Sequence, residues 1–163
     1  MTSPPADERD VLDHRLDVQR AEVAALLDDL DEDAARARLV PSATTLLGLV
    51  KHATFVEGVW FHSRVAGVDR SELGLPETVE ESFVLAPDDT VATVRTTHLE
   101  ACERSRRLAT TRSLDEVFPW HGVSVSLRLV YGHLIAELAR HAGHGDILRE
   151  QLAADAAGSG RTH

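Results

Sequence analysis

Apolar residues recur every three or four positions through most of the chain, a period that predicts helices. Over residues 7–30, Leu12, Leu16, Val23, Leu26, Leu27 and Leu30 share one face, which Val11 and Val18 widen. A connector, residues 31–41, has room for a further helical turn. Ser42 then offers a capping oxygen to a second helix over about residues 43–66, which Gly67 ends. Residues 68–87 are acidic and lack a period, so they read as a long surface loop, a length that in compact domains often marks a lid. Asp88 or Asp89 is placed to cap a third helix carrying Val91, Val94, Leu99, Cys102 and Leu108. Residues 118–122 read as a turn, and a fourth helix is expected over about residues 124–154. Prolines at positions 4, 5, 41, 76, 87 and 119 interrupt none of these segments. With no convincing strand and no internal repeat, the pattern predicts an all-α four-helix bundle, residues 9–154, between flexible ends at 1–8 and 155–163.

Composition narrows the function classes. A chain of 163 residues is about one domain and long enough to bury a core without disulfides. Its 43% apolar and 27% charged residues fit a soluble globular protein. Acidic residues outnumber basic ones 27 to 17, and a formal charge of −10 repels phosphate backbones, which argues against nucleic acid as a partner. One cysteine, Cys102, fits a reducing cytoplasm. No apolar run approaches the ~20 residues of a membrane span. The first eight residues also lack the basic start and apolar stretch of a signal peptide, so a cytoplasmic location is expected. Neither a glycine-rich phosphate loop nor a Cys-x-x-Cys pair nor a Gly-x-Ser-x-Gly elbow is present.

Nine histidines against one tyrosine and one lysine make histidine placement the main chemical question. On the fourth helix, residues 130, 134, 137, 141, 144 and 148 advance by alternating fours and threes and share a face. Glu137, His141 and His144 therefore lie on the stripe that should face the core, and Glu137 and His141, four apart, can point at one atom. Burying a carboxylate costs several kcal/mol or more without a compensating cation. A divalent metal resolves that cost. Pairing of Glu137 with Arg140 or Arg128, beside a satisfied core His141, resolves it too.

The second helix favours the metal. His52 lies three residues after Leu49 and four before Val56, on a stripe continued by Phe55 and Val59. Two facing helices then each present an imidazole to one core, which is how metal sites are assembled in bundles. His52, Glu137 and His141 form a His₂Glu set, whose open positions mark a reactive metal. Zinc is the first expectation, and nickel, iron or manganese accept the same donors. Uptake should fall below about pH 6 as the imidazoles protonate.

His133, ~40° around the helix from Glu137, fits a fourth ligand or a rim position. His144 fits a proton carrier, a group bonded behind the ligands, or a packed core residue. His62, His98 and His121 lack ligand-like spacing and read as surface or loop residues, as do His14 and His163. Cys102 reads as a small buried apolar residue rather than a nucleophile, for want of a histidine at helical spacing to activate it. The acidic run at 28–33 reads as a solvated helix end.

The run Glu137-Leu138-Ala139-Arg140-His141-Ala142-Gly143-His144-Gly145-Asp146-Ile147-Leu148-Arg149-Glu150 resembles the DinB/YfiT-like metalloenzyme superfamily, and most closely its mini-circle-type branch of actinobacteria. Thr45-Leu46-Leu47-Gly48-Leu49-Val50-Lys51-His52, followed by Glu57 and Trp60-Phe61, resembles that family's other motif. The match spans roughly residues 10–152, and sixteen arginines to one lysine suit a GC-rich actinobacterial source. The resemblance implies a DinB/YfiT-type bundle with a divalent metal between the second and fourth helices. Most of the superfamily uses three histidines; Glu137 at the earlier position of the last helix is similar to the mycothiol-dependent maleylpyruvate isomerases. His144 falls where many relatives carry glutamine.

The resemblance further implies a metal-dependent transferase or isomerase acting with a low-molecular-weight thiol such as mycothiol, or on a thiol conjugate. Arg128 and Arg140 are candidates to pair with a cosubstrate carboxylate, and His144 to move protons. A metal-dependent hydrolase, a non-catalytic metal-bearing binding module and a metal-free bundle are the alternatives. A homodimer is expected by analogy with relatives.

Overall fold

Leu16 and Val23 fall seven apart on the first helix, and both are fully buried in the computed structural model, which describes residues 7–159. Helix α1 (Glu8–Ala25) seats this stripe, and Arg20, midway between the two, is buried with them. Val11 and Val18, expected to widen the apolar face, are exposed instead. Leu26 and Leu27 continue the core in the turn after α1, which closes through Asp29 at φ 57°. The connector does hold a helical turn, α2 (Glu32–Arg36), capped by Asp31, whose carboxylate accepts from Ala34 N at 2.8 Å.

Helix α3 (Leu46–Glu57) is capped by Thr45 rather than Ser42: its Oγ1 accepts from Gly48 N at 2.9 Å. The rod continues as a wider π-helical stretch, Gly58–Val65, and ends, as expected, at Gly67 with φ 72°. Residues 68–87 are not wholly a surface loop. A single 3₁₀ turn, Glu81–Phe83, buries Ser82 and carries Phe83 against the core. Helix α4 (Val91–Thr110) is capped by a reciprocal Thr90–Thr93 box instead of Asp88 or Asp89. Asp89 binds Lys51 and Ala86 N. Leu99, assigned to the apolar face of α4, is exposed.

The expectation of no strand fails at residues 117–126. Strands β1 (Val117–Trp120) and β2 (Val123–Ser126) pair antiparallel, joined by His121 and Gly122 at φ 42° and 82°, the positive values that a tight hairpin turn requires. Phe118 and Val125, directly opposite one another, are the hairpin's buried pair. The strand displaces the start of the last helix, α5, to Leu127, and it runs to Ser159. Residues 155–159, expected to fray, are helical in the structure, in an alanine-rich stretch with strong helix propensity. Ends 1–6 and 160–163, His163 among them, lie outside the described residues.

Helix α1 packs along α5, and α3 lies against both α4 and α5, so the four long helices form the predicted all-α bundle. Its core runs through Leu27, Leu47, Leu49, Phe61, Leu134 and Leu138. Ile147, beside the buried Leu148 on α5, faces outward. No helix among the described residues is long and apolar enough to cross a membrane.

Candidate metal centre

Helical spacing turns His52 of α3 and Glu137 and His141 of α5 into the seam between these helices, where their donor atoms lie within 4.8 Å of one another. His141 Nε2 donates to Glu137 Oε1 at 2.9 Å. His52 Nε2 lies 3.5 Å from that same oxygen, too long for a good hydrogen bond. The two imidazoles meet edge to face, with centroids 4.5 Å apart. His52 and His141 are buried, and Glu137 is half-buried.

The second nitrogen of His52 defines its tautomer. Nδ1 lies 2.7 Å from Ser82 Oγ, and the Ser82 hydroxyl donates its proton to Val79 O at 2.5 Å. Ser82 therefore accepts from Nδ1–H, and Nε2 carries a lone pair. That lone pair is buried without a hydrogen-bond partner among the described residues, facing a carboxylate oxygen. Two electron-rich atoms in this arrangement call for a cation between them. Burial, reinforced by His141, lowers His52 to about 4, so it is neutral at physiological pH. Burial pushes Glu137 upward, but its hydrogen bond with His141 outweighs this and holds it below the ordinary carboxylate value. A neutral His52 and an ionised Glu137 are the protonation states a divalent metal requires of them, so the residues present fit such an ion.

The alternative pairing of Glu137 with Arg140 coexists with this site. Arg140 Nη1 reaches the outer Oε2 at 3.2 Å, leaving Oε1 to the histidines. Arg128 is not brought to the triad; it lies in the first turns of α5, paired with Glu8 and Asp115. His144 is exposed, its ring 5.7 Å from that of His141. His133 takes the rim position, its exposed ring 4.3 Å from Trp60. His14 and His121 are exposed as expected.

Two expected surface histidines are core residues. His98 is fully buried, and His62 is nearly so, with Nε2 donating to Ala101 O at 3.1 Å. They belong to a second polar cluster, between α1, α3 and α4. There the guanidinium of Arg20 grips Glu57 through bonds of 2.7 and 2.9 Å, and His98 lies 3.6 Å from Cys102 Sγ. Cys102 thus has a histidine one turn away after all. It is nonetheless no nucleophile, because burial and the Glu57 carboxylate push its thiol up to about 12. The spacing of His98, four after Val94 and four before Cys102, was the available signal. Ser82 and Phe83, which touch His52, had none in a segment without a period.

A cavity of about 280 Å³ opens between α3, α4 and the 75–89 segment, with Lys51, Thr54, Phe55 and Ser82 among its walls. Ser82 lines it, whereas His52, Glu137 and His141 are not among its walls. None of the curated proteins matches the chain. The family model for mycothiol-S-transferase matches residues 11–154, which include every member of the triad, and the chain belongs to this DinB-like family.

Proposed function

We propose that the protein is a divalent-metal-dependent S-transferase that uses mycothiol, or a closely similar small thiol, as its nucleophile. The observation that carries this reading is the unpartnered lone pair of His52 Nε2 facing Glu137 Oε1 inside a family of mycothiol-dependent enzymes. When bound, a divalent metal supplies Lewis acidity that ionises a thiol at neutral pH. His52, Glu137 and His141 would hold it, with zinc the first candidate and nickel, iron and manganese next.

The remaining work falls to this chain's own groups. Burial keeps His52 neutral, and the His141 bond keeps Glu137 anionic, so the donors are preset. Arg140, exposed beside Glu137, is placed to meet an anionic group on a substrate at the mouth. His144, exposed beside His141, is placed to exchange a proton with solvent. Arg128, paired with Glu8 and Asp115 in the first turn of α5, is the second candidate for such a group.

Elemental analysis of the purified wild type beside His52→Ala and His141→Ala tests the centre. Stoichiometric metal in the wild type and its loss from both variants is the expected outcome; equal trace metal in all three overturns the site. Thermal shift then tests the thiol. Mycothiol and zinc together should raise Tm more than either does alone, because the thiol would bind through the metal. Zinc stabilisation with no further effect of mycothiol would remove the thiol from the proposal.

A further inference from the structure

We propose that Ser82 is a positioning residue that locks His52 in its Nδ1–H tautomer, so that the segment before α4 is a built part of the metal centre. The inference rests on the metal reading above and concerns what holds the donor in place. Ser82 is 1% exposed, and its single hydroxyl proton is already given to Val79 O. Only its lone pairs face His52, so the 2.7 Å contact has one direction, from Nδ1–H to Oγ. The ring's orientation is held by the next residue as well: Phe83 stacks on it at 4.1 Å with the planes 11° apart. One dipeptide thus fixes both the edge and the face of the imidazole.

The dipeptide is itself anchored. Lys51, adjacent to His52 in α3, reaches back from its helix to Val84 O at 2.8 Å and to Asp89 at 2.6 Å. The Glu81 carboxylate accepts from Glu77 N at 3.0 Å, and Arg70 reaches Pro76 O at 2.7 Å. Without the Ser82 oxygen, nothing favours the Nδ1–H form. The proton would be drawn to Nε2 by the carboxylate of Glu137, whose Oε1 is 3.5 Å away. It would then occupy the position at which the metal must bind. Groups that hydrogen-bond the far nitrogen of a ligating histidine fix its tautomer in this way, and their removal typically weakens metal binding 10–100-fold.

The test uses the full chain. Nitrogen-15 correlation spectra of the metal-free wild type near neutral pH should show His52 protonated at Nδ1 and bare at Nε2. Ser82→Ala should shift the proton to Nε2, and Ser82→Thr, which restores a hydroxyl, should return it. Zinc affinity, read by competition with a chromophoric chelator, should fall 10–100-fold in Ser82→Ala and recover in Ser82→Thr. A wild-type His52 protonated at Nε2 overturns the proposal and needs no variant. So does a folded Ser82→Ala that keeps the Nδ1–H form or binds zinc as tightly as the wild type. Failure of the wild type to take up zinc would instead sink the metal reading, while the tautomer spectra would still decide whether Ser82 holds His52.

Discussion

Glu57 is completely buried in an apolar bundle, and Arg20 meets both of its oxygens. Such a pair is worth little net stability compared with apolar residues of the same volume, yet removing one partner strands a charge and typically costs about 3–5 kcal/mol. Glu57→Ala should therefore lower the unfolding free energy extrapolated from urea denaturation by an amount in this range, and Arg20→Met combined with Glu57→Leu should recover most of it. If the double substitution proves worse than the single one, the pair contributes more than mutual compensation. Cys102 beside it gives a second readout. With its thiol fully buried and pushed up to about 12, it should resist iodoacetamide in the native protein and react once unfolded, which mass spectrometry resolves. Neither residue shows its environment in sequence. Arg20 falls on the apolar stripe of α1 as any solvated residue intruding on that face would, and only contact with α3 reveals the pair.

Helices were legible because their period repeats for four or more turns, and the triad was legible for the same reason: His52, Glu137 and His141 each sit on a stripe. The hairpin had no such advantage. Four residues per strand allow two alternations at most, and Pro119 inside β1 argues against a strand wherever an amide must pair. The 3₁₀ turn that brings Ser82 to His52 is shorter still, and its position depends on Lys51 and Arg70 elsewhere in the chain. The hairpin turn offers a clean test of local strain. Gly122 has φ 82° with nothing near enough to obstruct a methyl group, so Gly122→Ala introduces backbone strain without a clash. The expected cost is about 1 kcal/mol, or a fall in Tm of roughly 2–4 °C for a chain of this size. Asparagine, which tolerates the left-handed region, should recover part of it. An unchanged melting curve for the alanine variant would mean that the hairpin contributes nothing to global stability.

Across the bundle, burial holds three imidazoles neutral: His52 on α3 at the seam with α5, His62 on the π-helical continuation of α3, and His98 on α4. Burial lowers all three below the ordinary histidine value, helped by the charge of Arg104 at His62. In the unfolded chain each titrates near 6.5. As pH falls through that value the unfolded state takes up protons that the folded state refuses, so stability is complete above about 6.5 and declines below it. Net charge pulls the other way, because a chain at −10 loses self-repulsion as it approaches its isoelectric point near 5.3. The histidine effect should win, since it acts through three desolvated sites whereas the net charge is spread over a screened surface. Urea midpoints of the metal-free protein should therefore fall steadily from pH 7 to 5. Replacing His62 and His98 by asparagine should flatten that slope, even if it lowers stability at pH 7. Saturating zinc should steepen the slope, because metal binding adds stability only while the donors are unprotonated. A metal-free profile that rises towards the isoelectric point would show surface repulsion dominating, and the buried imidazoles would then have to be admitting protons without unfolding.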